Sequence, residues 1–240
     1  MDKKQKSISV IMPAYNEEHN LGKAVLHTLK VFRSMNFDFE MIIINDNSLD
    51  KTGEISEEIA NINEEVKVIH HKKNQGTGAA FQTGINHATK EFVIFVPIDN
   101  PMDIEDINTY IPWLDICDIV VGCRVERVGY TWFAYFASFL YNRILVPLLF
   151  NIGISDVNWI QVYRRNLFTN GIIKFNATKF FFLVEILIEA RRNRLIMVEV
   201  PSKMKKRVRG KPTHSNFFVI LGALWDMMRY FWKIRREKDN

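Results

Sequence analysis

The sequence predicts an α/β fold, a mostly parallel sheet with helices on both faces. Three observations carry this. Short apolar runs alternate with amphipathic segments of helix length through the first half of the chain, the pattern of strand–helix–strand crossovers. Two of the runs, MIIIN and FVIFV, are apolar almost throughout, as strands covered on both faces are. The chain has 240 residues, 48% apolar and 25% charged, ordinary values for one large globular domain. That balance excludes a disordered tail, a collagen-like chain and a coiled-coil rod.

Taken in order, residues 7–13 (SISVIMP) form the first strand. A helix over 21–35 places Leu21, Val25, Leu29 and Phe32 on one side. Strand 39–44 is followed by helix 52–60, which Asp50 is placed to cap. Strand 66–70 leads to helix 78–88, and strand 92–96 to helix 104–114 with Asp103 as its cap. Strand 118–122 closes the regular half. The second half holds an aromatic segment, a strand at 159–163, a helix at 180–192 and a strand at 195–200. A loop over 203–211 then carries six Lys or Arg residues, and a last amphipathic helix comes after it.

The net charge of +5 suits phosphate-rich partners: nucleotides, nucleic acid or an anionic membrane surface. No nucleic-acid-binding module is recognisable, so nucleic acid is not expected. Two cysteines point to a reducing compartment. The start, MDKKQKSISV, lacks the apolar core of a signal peptide, so a cytoplasmic protein is expected. Residues 128–142 are free of charge but shorter than a membrane span, and Arg143 and Pro147 interrupt the apolar run beyond them. An aromatic amphipathic helix at about 130–150 lies either in the membrane interface or in the core. The segment 214–240 has Phe217, Leu224, Met228 and Phe231 on one face, with Arg229, Lys233 and Arg236 on the other. Its Trp225, Tyr230 and Trp232 suit headgroup depth. The expectation is a protein peripheral to the membrane, with one domain over 1–213 and a C-terminal helix over 214–240.

Open α/β sheets bind ligands at the carboxyl ends of their strands. Pro13 to Glu18 follow the first strand, Asn45 to Asp50 the second, Asn74 to Gly78 the third and Pro97 to Asp103 the fourth. A strand-end Asp by itself is commonly a cap or turn former. Four polar strand ends in sequence are harder to dismiss. Gly76-Thr77-Gly78 is not a dinucleotide fingerprint, and no Walker loop is present. His70 and His71 read as loop residues, and Cys117 and Cys123 as core or strand-end residues. Glu185, on an otherwise apolar helix face, reads either as a buried partner for an arginine or as an acceptor-site residue.

The succession MPAYNEE, IINDNSLDKT, NQGTGAA, a strand ending in an Asp, and DIVVGCR resembles the family 2 glycosyltransferases. Asp156-Val157-Asn158, FFLVEILIEARR, VEVP and RVRGK are similar to dolichyl-phosphate mannose synthase and other polyprenyl-phosphate sugar transferases. The resemblance implies a GT-A, Rossmann-like fold. It implies transfer of a sugar from a GDP- or UDP-linked donor to dolichyl or undecaprenyl phosphate at the cytoplasmic membrane face. The alternatives are a polysaccharide or protein acceptor, or a non-catalytic nucleotide-sugar-binding protein. By the same resemblance, Pro13, Tyr15, Glu17 and Gly76 line the nucleotide pocket and Asp46 takes the base or ribose. Asp99 holds Mg2+ or Mn2+, Arg124 lies near the substrates, Asp156 is an acceptor-side acid, and Arg207 and Arg209 gather phosphates. One departure bears on the metal. Pro97 stands where the family's Asp-x-Asp has its first acid, leaving Asp99 alone.

Overall fold

The computed structural model describes residues 6–35, 37–98, 104–179, 181–204 and 217–239. Seven strands form one sheet in the order β3-β2-β1-β4-β6-β5-β7. They are β1 (Ser7–Ala14), β2 (Asp38–Asn45), β3 (Val66–His70), β4 (Phe92–Phe95), β5 (Ile119–Arg124), β6 (Gln161–Arg164) and β7 (Met197–Ser202). All pairings are parallel except those of β6, which runs antiparallel to both β4 and β5. The expected α/β sheet is therefore the observed one, with a reversed strand in its middle.

The apolar runs form buried strands because both sheet faces are covered. Alternation along β1 sends Val10 and Met12 to one face and Ile11 to the other. The first face packs on Leu21, Val25, Leu29 and Phe32 of α1 (Leu21–Ser34), the stripe read from the sequence, with Ile59 of α2 (Thr52–Asn61). The second packs on Phe81 and Ile85 of α3 (Thr77–His87) and on α8 (Phe181–Arg192). Phe81, Phe95, Phe175 and Phe182 meet there in tilted and edge-on pairs 5.3–6.2 Å apart.

One predicted helix differs. The segment 104–114 is not one helix. A single α turn, α4 (Ile107–Tyr110), lies between 3-10 turns at Ile104–Asp106 and Ile111–Asp115. Pro112 supplies the reason, since it has no N–H to continue an α ladder. The aromatic segment forms the helix expected at about 130–150. Helix α5 (Trp132–Phe139) runs through a π-helical stretch, Leu140–Leu145, into α6 (Val146–Phe150), so neither Arg143 nor Pro147 ends it. The Thr131 side chain accepts from Ala134 N–H at its start, and Asn151 closes it in the left-handed conformation. The resulting 19 residues, Trp132–Phe150, are long and apolar enough to cross a membrane, and only 11% of them are buried. That rules against the core-helix reading. After β6, α7 (Asn166–Thr169) is a single turn, and α9 (Phe217–Asp239) packs on α8 and on the end of α6.

Candidate active site

Strand order reverses between β1 and β4, so a crevice opens at the carboxyl ends of these strands. Its first wall is two loops fastened together. The loop after β1 and the loop after β2 exchange Asn16 N–H to Ser48 Oγ (3.0 Å), Leu49 N–H to Asn16 Oδ1 (2.8 Å) and Lys51 N–H to Glu18 Oε2 (3.0 Å). Glu17 N–H donates to Thr52 Oγ1 (2.8 Å) and Glu18 N–H to Asp50 Oδ2 (3.2 Å). Asp50 also accepts from Thr52 N–H (3.0 Å), but the cap position expected of it is taken by Lys51, whose side chain makes no capping bond. Burial opposes the Asp50 charge, and these donors outweigh it, holding the carboxyl below its ordinary value.

Pro13, Tyr15, Glu17, Asp46 and Gly76 come together at this wall. Tyr15 is exposed, while Glu17 turns its carboxylate to Asn20 Nδ2 (2.8 Å) at the start of α1. Asp46 is buried and already engaged. Its Oδ1 accepts from Gln75 N–H (2.9 Å) and faces His71 Nδ1 (2.7 Å), and its Oδ2 accepts from Gly76 N–H (2.8 Å). Roughly one of its four acceptor positions is left for anything else. Asp46 thus holds the loop after β3, and the contact with a base or ribose expected of it has that remaining position. His71, the first residue after β3, is the loop residue expected, and it is a buried link, its Nε2 lying 2.9 Å from Thr83 Oγ1 on α3. His70 turns elsewhere, to Glu57 at 2.8 Å.

The same loop is gripped from the other side. Gly78 N–H donates to Thr178 C=O (2.8 Å). A Cβ on Gly78 would lie 2.1 Å from the Ala177 oxygen, and one on Gly76, at φ +90°, would lie 2.4 Å from the Thr178 oxygen. Only glycine admits that approach. Glu185 anchors the opposing strand of chain, accepting from Asn176 N–H (3.1 Å) and Ala177 N–H (2.8 Å). Its partners are thus backbone amides and not an arginine. Burial pushes its carboxyl above the usual range, against the pull of those two donors.

Arg124 and Asp156 meet on the far side. The guanidinium donates Nε to Oδ2 and Nη2 to Oδ1, both at 2.6 Å, with side chains only 5% and 1% exposed. It stacks over Trp159 (4.8 Å) and donates to Tyr130 Oη (2.7 Å). Burial works against its charge, and Asp156 more than restores it. Glu199 of β7 accepts from the N–H groups of Ser155 (2.8 Å) and Asp156 (3.1 Å), fixing the loop that carries the acid.

Beside this pair lies a cleft of about 570 Å3, lined by Arg124, Arg127 and Arg143 together with Tyr135, Phe139 and Ser155. Arg127 is a residue the sequence reading missed. Its Nη2 reaches Asp156 Oδ2 (3.3 Å), and its Nη1 is buried without a partner among the described residues. Asp99, Arg207 and Arg209 lie outside the described residues. Among the described residues no group of three or more His, Cys, Asp or Glu side chains could hold a metal ion, so they do not by themselves make a metal site.

Comparison with known proteins sets this geometry in context. The Glycosyl transferase family 2 sequence model matches residues 9–183. Over 223 residues the chain is 26% identical to an undecaprenyl-phosphate 4-deoxy-4-formamido-L-arabinose transferase of Proteus mirabilis, covering 92% of this chain and 66% of that protein. Over 216 residues it is 34% identical to a dolichyl-phosphate beta-glucosyltransferase of Trichomonas vaginalis, covering 83% and 66% respectively. The chain therefore spans just under two thirds of the length of these relatives. Among solved structures, glucosyl-3-phosphoglycerate synthase of Mycobacterium tuberculosis, in complex with Mn2+, UDP and glucosyl-3-phosphoglycerate, is similar with a TM-score of 0.67. The identity is 19%, over 86% of this chain and 73% of that one. TarS 1–349 of S. aureus in complex with UDP-GlcNAc gives 0.58 at 20% identity, over 88% and 61%. These likenesses are of fold, and the fold is the GT-A type.

Proposed function

Because the chain belongs to glycosyl transferase family 2, we propose that it transfers a sugar from a nucleoside diphosphate donor to a polyprenyl phosphate at a membrane surface. The observation that carries the acceptor is the arginine cleft: three guanidinium groups, one with a buried unpartnered N–H, opening beside a helix whose aromatic side chains face outward. Guanidinium forks suit phosphate oxygens. Trp132, Phe133, Tyr135, Phe136 and Phe139 are all exposed, and Trp132 reaches 80%. Such a face suits the interfacial zone of a bilayer. The names of the two curated relatives, which specify undecaprenyl and dolichyl phosphate, support the same reading.

The chemistry asks little of a base. A phosphate monoester, with a second pKa near about 6, is largely a dianion at neutral pH. Its oxygen attacks the anomeric carbon, the bond from that carbon to the donor phosphate breaks, and the electron pair leaves with the nucleoside diphosphate. The configuration inverts. What the protein must supply is alignment and relief of repulsion between two phosphates. Arg124, Arg127 and Arg143 serve the acceptor, and Asp156 aims Arg124 rather than taking a proton. Mg2+ or Mn2+ bound through Asp99 would offset charge on the leaving diphosphate.

A second reading, transfer to an acceptor that is not a lipid, is favoured by the fold likeness to the synthase crystallised with phosphoglyceric acid. Incubating the purified protein and a membrane extract with radiolabelled UDP- and GDP-sugars separates the two. Label extracted into organic solvent is the expected result. Label confined to the aqueous phase would establish the second reading instead.

A further inference from the structure

The aromatic helix is tied to the acid–arginine pair directly at one point and, at a second, through the chain next to Asp156. The first is at its entry, where Tyr130 Oη accepts from Arg124 Nη1 (2.7 Å), just ahead of the Thr131 cap. The second lies inside its π-helical stretch. Asn142 is buried there, as only Val146 is besides in Trp132–Phe150. Its Nδ2 donates to Ser138 C=O (2.8 Å) and lies 3.2 Å from Ser138 Oγ, and its Oδ1 accepts from Val157 N–H (3.1 Å). Val157 is the residue after Asp156. A π stretch is rare and frequently sits at a functional site, and here it contains a buried amide that crosses from helix to acid loop.

We propose that Asn142 and Tyr130 are positioning residues for the acceptor half of the site, through which the outward-facing helix holds Asp156 and Arg124 in register. The role attached to that half rests on the acceptor reading above, while the tether itself rests on the geometry alone. Asn142 acts by fixing the Val157 amide, and with it the carboxylate that aims Arg124. Tyr130 acts on the guanidinium directly. Neither residue reaches the crevice wall formed by the loops after β1, β2 and β3, so the donor half is untouched.

Hydrogen exchange on the full chain tests the tether independently of activity. In Asn142→Leu the peptide containing Val157 is expected to exchange on the order of tenfold faster, the loss of about one net hydrogen bond, while β1 and β2 peptides keep their rates. Asn142→Asp, which retains an acceptor for Val157 N–H, is expected to recover most of the protection. Tyr130→Phe sits on a half-exposed residue and covers the case in which Asn142→Leu does not fold. It is expected to speed exchange in residues 123–127 only. Unchanged exchange at Val157 in a folded Asn142→Leu, or a uniform rise across the whole sheet, would overturn the proposal. Kinetics then assign the function. With polyprenyl phosphate in phosphatidylcholine–phosphatidylglycerol vesicles, both variants should raise acceptor KM and lower kcat several-fold with donor KM unchanged, and an equal rise in both KM values would also overturn it. Absence of lipid transfer by the unmodified protein would instead defeat the acceptor reading, and the exchange results would still decide the tether.

Discussion

Removing Asp156 leaves the Arg124 charge buried and unpaired, and removing Arg124 leaves the buried Asp156 with only its longer 3.3 Å contact to Arg127; breaking a buried pair typically costs about 3–5 kcal/mol. Arg124→Ala and Asp156→Ala are each expected to lower stability by that order in urea unfolding. The double variant should cost clearly less than their sum, because the two share one interaction. Asp46 makes a different prediction. Asp46→Ala releases the Gln75 and Gly76 amides and His71 together, so affinity for a nucleoside diphosphate should fall roughly tenfold or more by calorimetry through loosening of the loop. Asp46 was legible as a polar residue at a strand end, and Asp156 through the family resemblance. His71 and Arg127 were not, because what singles them out is a partner distant in sequence: Asp46 for the first, and for the second a carboxylate 29 positions away.

At the scale of elements, β2 shows how the sheet is locked at the end away from the crevice. Glu40 accepts from Ser9 Oγ (2.7 Å) on β1, Lys67 Nζ (2.8 Å) on β3, and Thr89 N–H ahead of β4. Burial opposes its charge, yet these donors bring its pKa down to about 2 from 4.5. A folded value below the unfolded one means that the unfolded chain binds the proton more tightly. The stabilisation is therefore complete above about pH 4.5 and is lost as pH falls toward 2. It is worth on the order of 3 kcal/mol. Glu40→Gln should flatten the dependence of unfolding free energy on pH across that window and leave it unchanged near neutrality apart from a constant offset. The strands and the α1 stripe were readable because burial on one or two faces writes a period into the sequence. The direction of β6 was not readable, since a strand's residues do not encode whether its neighbours run with it or against it.

For the whole molecule, the outward aromatic helix and α9 share a junction at Phe150, which packs on Tyr230 and Phe231. Trp132, Phe136 and Leu148 are exposed, and Leu148 is 78% so. Replacing these three with Ser should leave the melting temperature nearly unchanged while abolishing co-sedimentation with anionic vesicles. A loss of melting temperature without a change in sedimentation would mean that the face serves packing. The sequence placed this segment at about 130–150 but read Arg143 and Pro147 as interruptions of its apolar run; Arg143 lies within the π-helical stretch, and Pro147 sits in the first turn of α6, where its missing N–H is tolerated.

The central claim is that the arginine cleft receives a phosphate acceptor separately from the donor crevice. Steady-state kinetics of Arg127→Ala with polyprenyl phosphate and the preferred nucleotide sugar test it most directly. Losing a charge-assisted hydrogen bond of about 1.5–3 kcal/mol should raise acceptor KM roughly 10- to 100-fold with donor KM unchanged. Unaltered acceptor kinetics in a folded Arg127→Ala protein would contradict the account.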